Sequence, residues 1–180
     1  MTILRIYTDG ACSGNQNKNN IGGWGAILEF GNHKKELYDS AIDTTNNIME
    51  MTAVIQGLKA LNRKVDKIQI FSDSAYVVNC MQQKWHISWQ KNGWKTASKQ
   101  PVANIDLWKE LLQLIDLYQP EFYKVKGHVN LNHPSVDLNK HYEKFLSLNK
   151  CHFTFDDFHH ITEMNNRADE LANIAMDAIR

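Results

Sequence analysis

ILRIYTDG (residues 3–10) alternates apolar and polar side chains and then stops on an acid. As an extended strand it places Ile3, Arg5, Tyr7 and Asp9 on one face, and Leu4, Ile6 and Thr8 on the other. A Gly- and Asn-rich turn (Gly10 to Asn20) follows. IGGWGAILEF (21–30) and KKELYDSAI (34–42), joined by Gly-Asn, then predict an antiparallel hairpin. From Asn47 the period changes: Glu50, Val54, Leu58 and Leu61 follow the i, i+4, i+8, i+11 spacing of a helix face. KIQIFSD (67–73) predicts a fourth strand, ending on a second acid. SAYVVNCMQQ (74–83) and ANIDLWKELLQLIDLY (103–118) predict helices, the latter stopped by Pro120. EFYKVKG (121–127) predicts the fifth strand. NNRADELANIAMDAI (165–179) predicts a last helix with Ala168, Leu171, Ala172, Ala175 and Ile179 on one side. The expected fold is α/β: a mixed five-stranded sheet, a three-stranded antiparallel meander plus two parallel strands, with helices on both faces.

The bulk composition allows this plan and excludes several others. The chain has 180 residues, 43% of them hydrophobic and 22% charged, which excludes disorder and low-complexity repeats. No apolar run reaches the roughly 18 residues that span a bilayer. The opening MTILRIYTDG turns polar too early for a secretory leader. Three cysteines, Cys12, Cys80 and Cys151, do not make a disulfide framework. They point to a reducing, cytoplasmic location. Lys+Arg and Asp+Glu are equal at 20 each, so net charge alone indicates no polyanionic partner.

The domain is expected to be single, 1–180, with residues 131–164 inserted between the fifth strand and the last helix. That segment holds five of the eight histidines and four of the seven phenylalanines. A short helix is expected over SVDLNKHYEKFLSL (135–148), docked by Phe153, Phe155 and Phe158.

Asp9 and Asp73 are both expected to close strands at their carboxyl ends, where the open crevice of an α/β sheet binds ligands. Taken singly, each also fits a turn-forming Asp. Glu50 shares the apolar stripe of its helix, and a buried carboxylate is costly unless it is paired or binds a metal. The competing role is a capping box, Asn47-x-x-Glu50. Asp169, in the first turn of the expected last helix, also fits an acid that complements the helix dipole. Four carboxylates in one crevice resist joint ionisation, and divalent cations would neutralise them. Hard oxygen ligands without a Cys/His cluster favour Mg²⁺ or Mn²⁺ over zinc.

YTDGAC (7–12), TTNNIMEM (44–51), FSDSAYV (71–77), VKGH (125–128) and NNRADELA (165–172), in this order and on these element types, resemble type 1 ribonuclease H. The resemblance covers nearly the whole chain outside 131–164. It implies an endonuclease that hydrolyses the RNA strand of RNA–DNA hybrids by a two-metal mechanism, leaving 5′-phosphate and 3′-hydroxyl ends. It further implies two Mg²⁺ ions, replaceable by Mn²⁺, on Asp9, Glu50, Asp73 and Asp169, with Asp9 shared between them. His128 of VKGH becomes the proton shuttle, with His159 and His160 as rivals.

Between Ser74 and Ile105 there is no Asp or Glu, whereas Lys84, Lys91, Lys95 and Lys99 interleave with Trp85, Trp89 and Trp94. This stretch resembles the family's basic protrusion, in which Lys91, Lys95 and Lys99 meet phosphates and Trp85 and Trp89 pack on sugars. For Trp94 a core position competes. Cys12, Asn15, Asn46 and Asn47 resemble the minor-groove contacts that read 2′-hydroxyls. Thr45 and Asn104 resemble the pocket for a DNA-strand phosphate. Asp43 and Ala75 depart from the family pattern, standing where arginine and glutamine are frequent. The implied partner is an RNA–DNA hybrid, bound by a monomer. Three rivals remain at this level: a hybrid-binding module without catalysis, a DNA nuclease of the same superfold, and a zinc site of His133, His141, Cys151 and His159.

Overall fold

Strand β1 (Ile3–Ser13) is the centre of the sheet, and the computed structural model describes residues 1–13 and 20–180 around it. The other elements are β2 (Ile21–Phe30), β3 (His33–Ile42), α1 (Asn46–Lys59), β4 (Lys67–Ser72), α2 (Ala75–Gln82), α3 (Trp85–Lys91), α4 (Ile105–Tyr118), β5 (Glu121–Lys124), α5 (Leu138–Asn149) and α6 (Phe155–Asp177). The sheet runs β3-β2-β1-β4-β5. β2 lies antiparallel to β1 and to β3, whereas β4 is parallel to β1 and to β5. The expected five-stranded mixed sheet is present.

The alternation in β1 divides the core into two layers. Leu4 and Ile6 join Val54, Leu58, Ile70, Val77, Trp108 and Leu111 under α1, α2 and α4. Tyr7 joins Ile27, Phe71, Phe145, Phe158, Ile161 and Leu171 on the opposite face, under α5 and α6. No helix among the described residues is long and apolar enough to cross a membrane.

The structure corrects four boundaries. Asp9 does not terminate β1, because pairing with β2 continues from Asp9↔Gly25 to Ser13↔Ile21. What ends beside Asp9 is the parallel partner, whose last pair is Thr8↔Ser72. β5 stops at Lys124 rather than residue 127: Val125 N–H still donates to Ser72 O at 3.0 Å, and the chain then turns, with His128 at φ 57°. α5 begins at Leu138, capped by Asp137, three residues after the expected start.

The fourth correction is the largest. α6 starts at Phe155, ten residues before the expected 165, under a capping box of Thr154 and Asp157. Residues 155–164 of the segment expected to loop out are therefore helix, and Phe158 and Ile161 are core. Asp169 consequently sits in mid-helix, where its dipole-complementing role does not arise.

Candidate active site

Asp9, Glu50 and Asp73 arrive from three elements distant in sequence. Asp9 projects from β1 at the point where the sheet opens, and Asp73 is the first residue beyond β4. Glu50 lies in the second turn of α1. The competing capping box is not formed, since Thr45 is the N-cap and its hydroxyl accepts from Ile48 N–H at 3.1 Å. Glu50 is thereby left facing the sheet. Gly10 permits the approach: a Cβ there would lie 2.4 Å from Glu50 N and 2.5 Å from Met49 C. The loop after β5 closes on the other side. A Cβ on Gly127 would stand 2.3 Å from Asp73 Oδ2.

One oxygen from each of Asp9, Glu50 and Asp73 lies within 4.8 Å of the other two. Asp9 is 3% exposed and Glu50 8%. Burial, reinforced by the Glu50 and Asp73 charges, pushes the Asp9 carboxyl far above the usual carboxylate range. Burial and then Asp73 push Glu50 upward as well. Glu50 Oε2 is buried with no hydrogen-bond partner. A desolvated, unpartnered carboxylate oxygen among like charges is what a cation site requires and what a structural site avoids. The oxygen-only donor set suits a hard divalent cation.

Asp169 lines the same cleft of about 630 Å³, and its carboxyl also interacts with Asp9. His128 stands at the rim with Nδ1 3.5 Å from Asp169 Oδ2 and a side chain 75% exposed. The rivals are engaged elsewhere. His159 pairs with Glu163 at 2.8 Å, and His160 with Glu29 at 2.7 Å. Neither lines the carboxylate cleft.

Of the expected nucleic-acid contacts, Cys12, Asn46 and Asn47 line the cleft. Asn15 lies outside the described residues. Thr45, Trp85, Trp89, Lys91, Lys95, Lys99 and Asn104 do not line it. Trp85 is exposed, but Trp89 packs on Trp108 with ring centroids 5.4 Å apart and on Trp94 at 6.4 Å. Trp89 and Trp94 are thus partly core. Asn104 precedes α4 at φ 59°, its amide donating to Tyr76 Oη at 3.3 Å. Asp43, at φ 53°, donates its N–H to Asn20 O at 2.9 Å.

Among the described residues, Asp9, Glu50 and Asp73 are the one group of three or more His, Cys, Asp or Glu side chains close enough to share an ion. His133, His141, Cys151 and His159 are not brought together, which removes the zinc alternative. The cleft also contains Asn173, Met176 and Arg180. With Asp169 they follow i, i+4, i+7 and i+11, a spacing visible in the sequence once Asp169 is chosen as the origin.

Comparison with known proteins places this geometry. The RNase H family pattern matches residues 1–137. A ribonuclease H of Clostridium botulinum (strain Hall) is 44% identical over 177 residues, covering 98% of this chain and 97% of the relative. That of Moorella thermoacetica is 42% identical over 180 residues, covering 100% and 95%. The Chlorobaculum parvum ribonuclease H is 57% identical over 127 residues, 69% of this chain and 83% of its own. Among solved structures, LC11-RNase H1 in complex with RNA/DNA hybrid superposes with a TM-score of 0.61 at 19% identity, covering 98% of both chains. RNase H1 from Halobacterium salinarum gives 0.56 at 21%, again covering 98% of both. A carboxylate-lined cleft at the open end of a β3-β2-β1-β4-β5 sheet, in a chain this similar to ribonucleases H along nearly its whole length, makes the protein a member of the ribonuclease H family of nucleases.

Proposed function

We propose that the chain is an endonuclease that hydrolyses the RNA strand of RNA–DNA hybrids, leaving 5′-phosphate and 3′-hydroxyl ends. The observation that carries this is the buried carboxylate cluster with its unpartnered Glu50 oxygen, in a chain of the ribonuclease H family. Asp9, Glu50, Asp73 and Asp169 would hold two Mg²⁺ ions, with Mn²⁺ able to substitute. Bound there, the cations would supply positive charge that eases deprotonation of the attacking water and stabilises the leaving 3′ oxygen.

The protein's own groups do the rest. The four carboxylates fix where the cations sit, and the backbone approach of Glu50 is set by Gly10. His128 carries a proton between solvent and the leaving side. Its exposure and its contact with Asp169 suit a group that must meet both. Cys12, Asn46 and Asn47 line the cleft beside the carboxylates, where they would face the minor groove and its 2′-hydroxyls. Thr45 and Asn104 would hold a phosphate of the DNA strand, and Trp85, Trp89, Lys91, Lys95 and Lys99 would follow that strand further out. All four carboxylates and His128 come from one chain, which supports action as a monomer. The three unbridged cysteines fit a reducing cytoplasm.

The deciding assay offers end-labelled hybrid, double-stranded DNA, double-stranded RNA and single-stranded RNA, with and without Mg²⁺. Cleavage confined to the RNA strand of the hybrid and abolished by EDTA is expected. Hybrid binding without cleavage would favour the binding module, and cleavage of double-stranded DNA would favour the DNA nuclease.

A further inference from the structure

A second concavity lies behind the loop that bears His128. Its volume is about 280 Å³, and it is enclosed by the 124–129 segment, α5 and α6. This is just under the usual range for ligand pockets, enough for one flat ring and its attachments. The floor is apolar: Val125, Val129, Phe145 and Phe158 are all buried. The rim is basic, with Lys124, Lys126, Lys144 and His141, and no Asp or Glu lines it. Lys124 Nζ is engaged by Val125 O at 3.2 Å, while Lys126 and Lys144 are exposed. Among the described residues the lysines held in ion pairs are Lys34, Lys59 and Lys67, all elsewhere.

The arrangement is built rather than incidental. His141, Lys144, Phe145 and Leu148 form one i, i+3, i+4, i+7 stripe of α5. The helix is fixed against the sheet edge by Asn149. Its Oδ1 accepts from Lys124 N–H at 2.6 Å and its Nδ2 donates to Lys124 O at 2.8 Å, so the side chain satisfies β5 as a further strand would. Tyr142 adds a hydrogen bond from its hydroxyl to Phe153 O at 2.6 Å. A merely solvated helix face would mix charges, and a merely apolar contact face would carry no lysines. Leu148 remains 54% exposed at the edge.

We propose that this pocket is a nucleotide subsite for the nucleic-acid strand that continues past the catalytic carboxylates, with a phosphate on Lys126 and Lys144 and a base against Phe145 and Leu148. The position supports that occupant. Gly127 touches Asp73 on the cleft side and lines the pocket on the other, so one loop separates the two. A strand leaving the cleft over this loop meets the lysines first and the apolar floor beneath them. Positive charge around a surface for stacking is the usual means of holding a single strand without reading its sequence. The inference rests on the hydrolytic reading above for the direction of the strand, and not for the chemistry of the pocket.

The test uses DNA duplexes in which a short ribonucleotide block fixes the point of cleavage and the flank on either side is varied, single- or double-stranded. Affinity is measured by anisotropy in EDTA, and KM in Mg²⁺. Lengthening one flank should tighten binding to the wild type by about fivefold or more, the scale of one stacked base or neutralised phosphate. The gain should vanish in Lys144→Glu and persist in Lys144→Arg, with unchanged thermal transitions, since Lys144 is exposed. An equal gain in wild type and Lys144→Glu overturns the subsite. Uptake of free AMP with no flank effect also overturns it, in favour of a small-molecule site. Wild-type protein that cleaves none of the substrates overturns the hydrolytic reading instead, and the EDTA arm still reports on the pocket.

Discussion

Removing one negative charge from the carboxylate cluster should abolish the enzyme and stabilise the metal-free protein at once, and Asp9→Asn is the substitution that shows both. Two unit charges 4.8 Å apart, the outer limit of the cluster's closest oxygens, repel by about 3.5 kcal/mol at an effective dielectric of about 20. The wild type escapes part of this by retaining a proton, so the net relief from an isosteric amide is about 1–3 kcal/mol. For a chain of this size, that raises Tm by about 2–12 °C. The pH dependence has a definite sign. Burial and the neighbouring charges hold Asp9 above its ordinary value of 3.8, so its contribution to stability is complete below about pH 4 and is lost as pH rises. The Tm difference between Asp9→Asn and wild type, measured by calorimetry in EDTA, should be near zero at pH 4 and widen through pH 9. Adding Mg²⁺ should raise Tm in the wild type far more than in the variant, and hybrid cleavage by the variant should be absent. A variant less stable than wild type at pH 8 in EDTA, or an equal Mg²⁺ response in both, would refute the account of a charge cluster built for cations.

Other outcomes follow from residues outside the cluster. His128→Ala should slow cleavage by about 10²-fold without abolishing it or shifting Tm, because the role is proton transfer and the side chain is mostly in water; a larger loss in His159→Ala or His160→Ala would move the assignment. Replacing Lys91, Lys95 and Lys99 together by alanine should lower the slope of log affinity against log salt by up to about 2.7, three phosphates at about 0.9 each, and leave kcat nearly unchanged. Titration of hybrid binding against NaCl measures it, and an unchanged slope means these lysines do not meet the backbone. Phe158→Ala should cost about 3–5 kcal/mol, because its ring is buried and packs against Tyr142, Phe145 and Phe155. Chemical denaturation reads this directly, and a loss below about 1 kcal/mol would mean that the first turns of α6 are an appendage rather than core.

The sheet was legible because its signals are local. Period-two alternation in 3–9, a Gly-Asn turn between two strands and an apolar run at 67–72 each declare themselves within ten residues. Asp9, Glu50 and Asp73 were legible as a set because their motifs, in order and on these element types, resemble one family; taken singly, each also fitted a turn or a cap. The start of α6 was not. Its inward stripe runs through Thr162 and Asn165, polar residues that interrupt the apolar period, and its capping box uses Asp157 where Glu or Gln is the usual sign. Trp89 looked like a surface handle because its neighbours in sequence are lysines, and its partner Trp108 is supplied by another helix. The Tyr7–Glu29–His160 chain, with hydrogen bonds of 2.7 Å at both ends of the Glu29 carboxylate, includes one bond between residues 131 positions apart. No window of sequence contains that pairing.

The early start of α6 in turn explains how the cleft is held. A helix that began at residue 165 would present Asp169 only one turn in from its frayed end, anchored by little more than its own cap. Beginning at Phe155, it reaches Asp169 after four turns, the first three of which bury Phe158, Ile161 and Thr162 against the sheet. Ala168 and Leu171, on either side of Asp169, then press on β2, where the absence of side chains at Gly23 and Gly25 lets the helix backbone come close: a Cβ at Gly25 would stand 2.5 Å from Ala168 O. The carboxylate position is therefore set by packing on both sides of it along the helix. The segment that reads in sequence as an addition to the nuclease contains the part of the helix that makes its fourth carboxylate rigid.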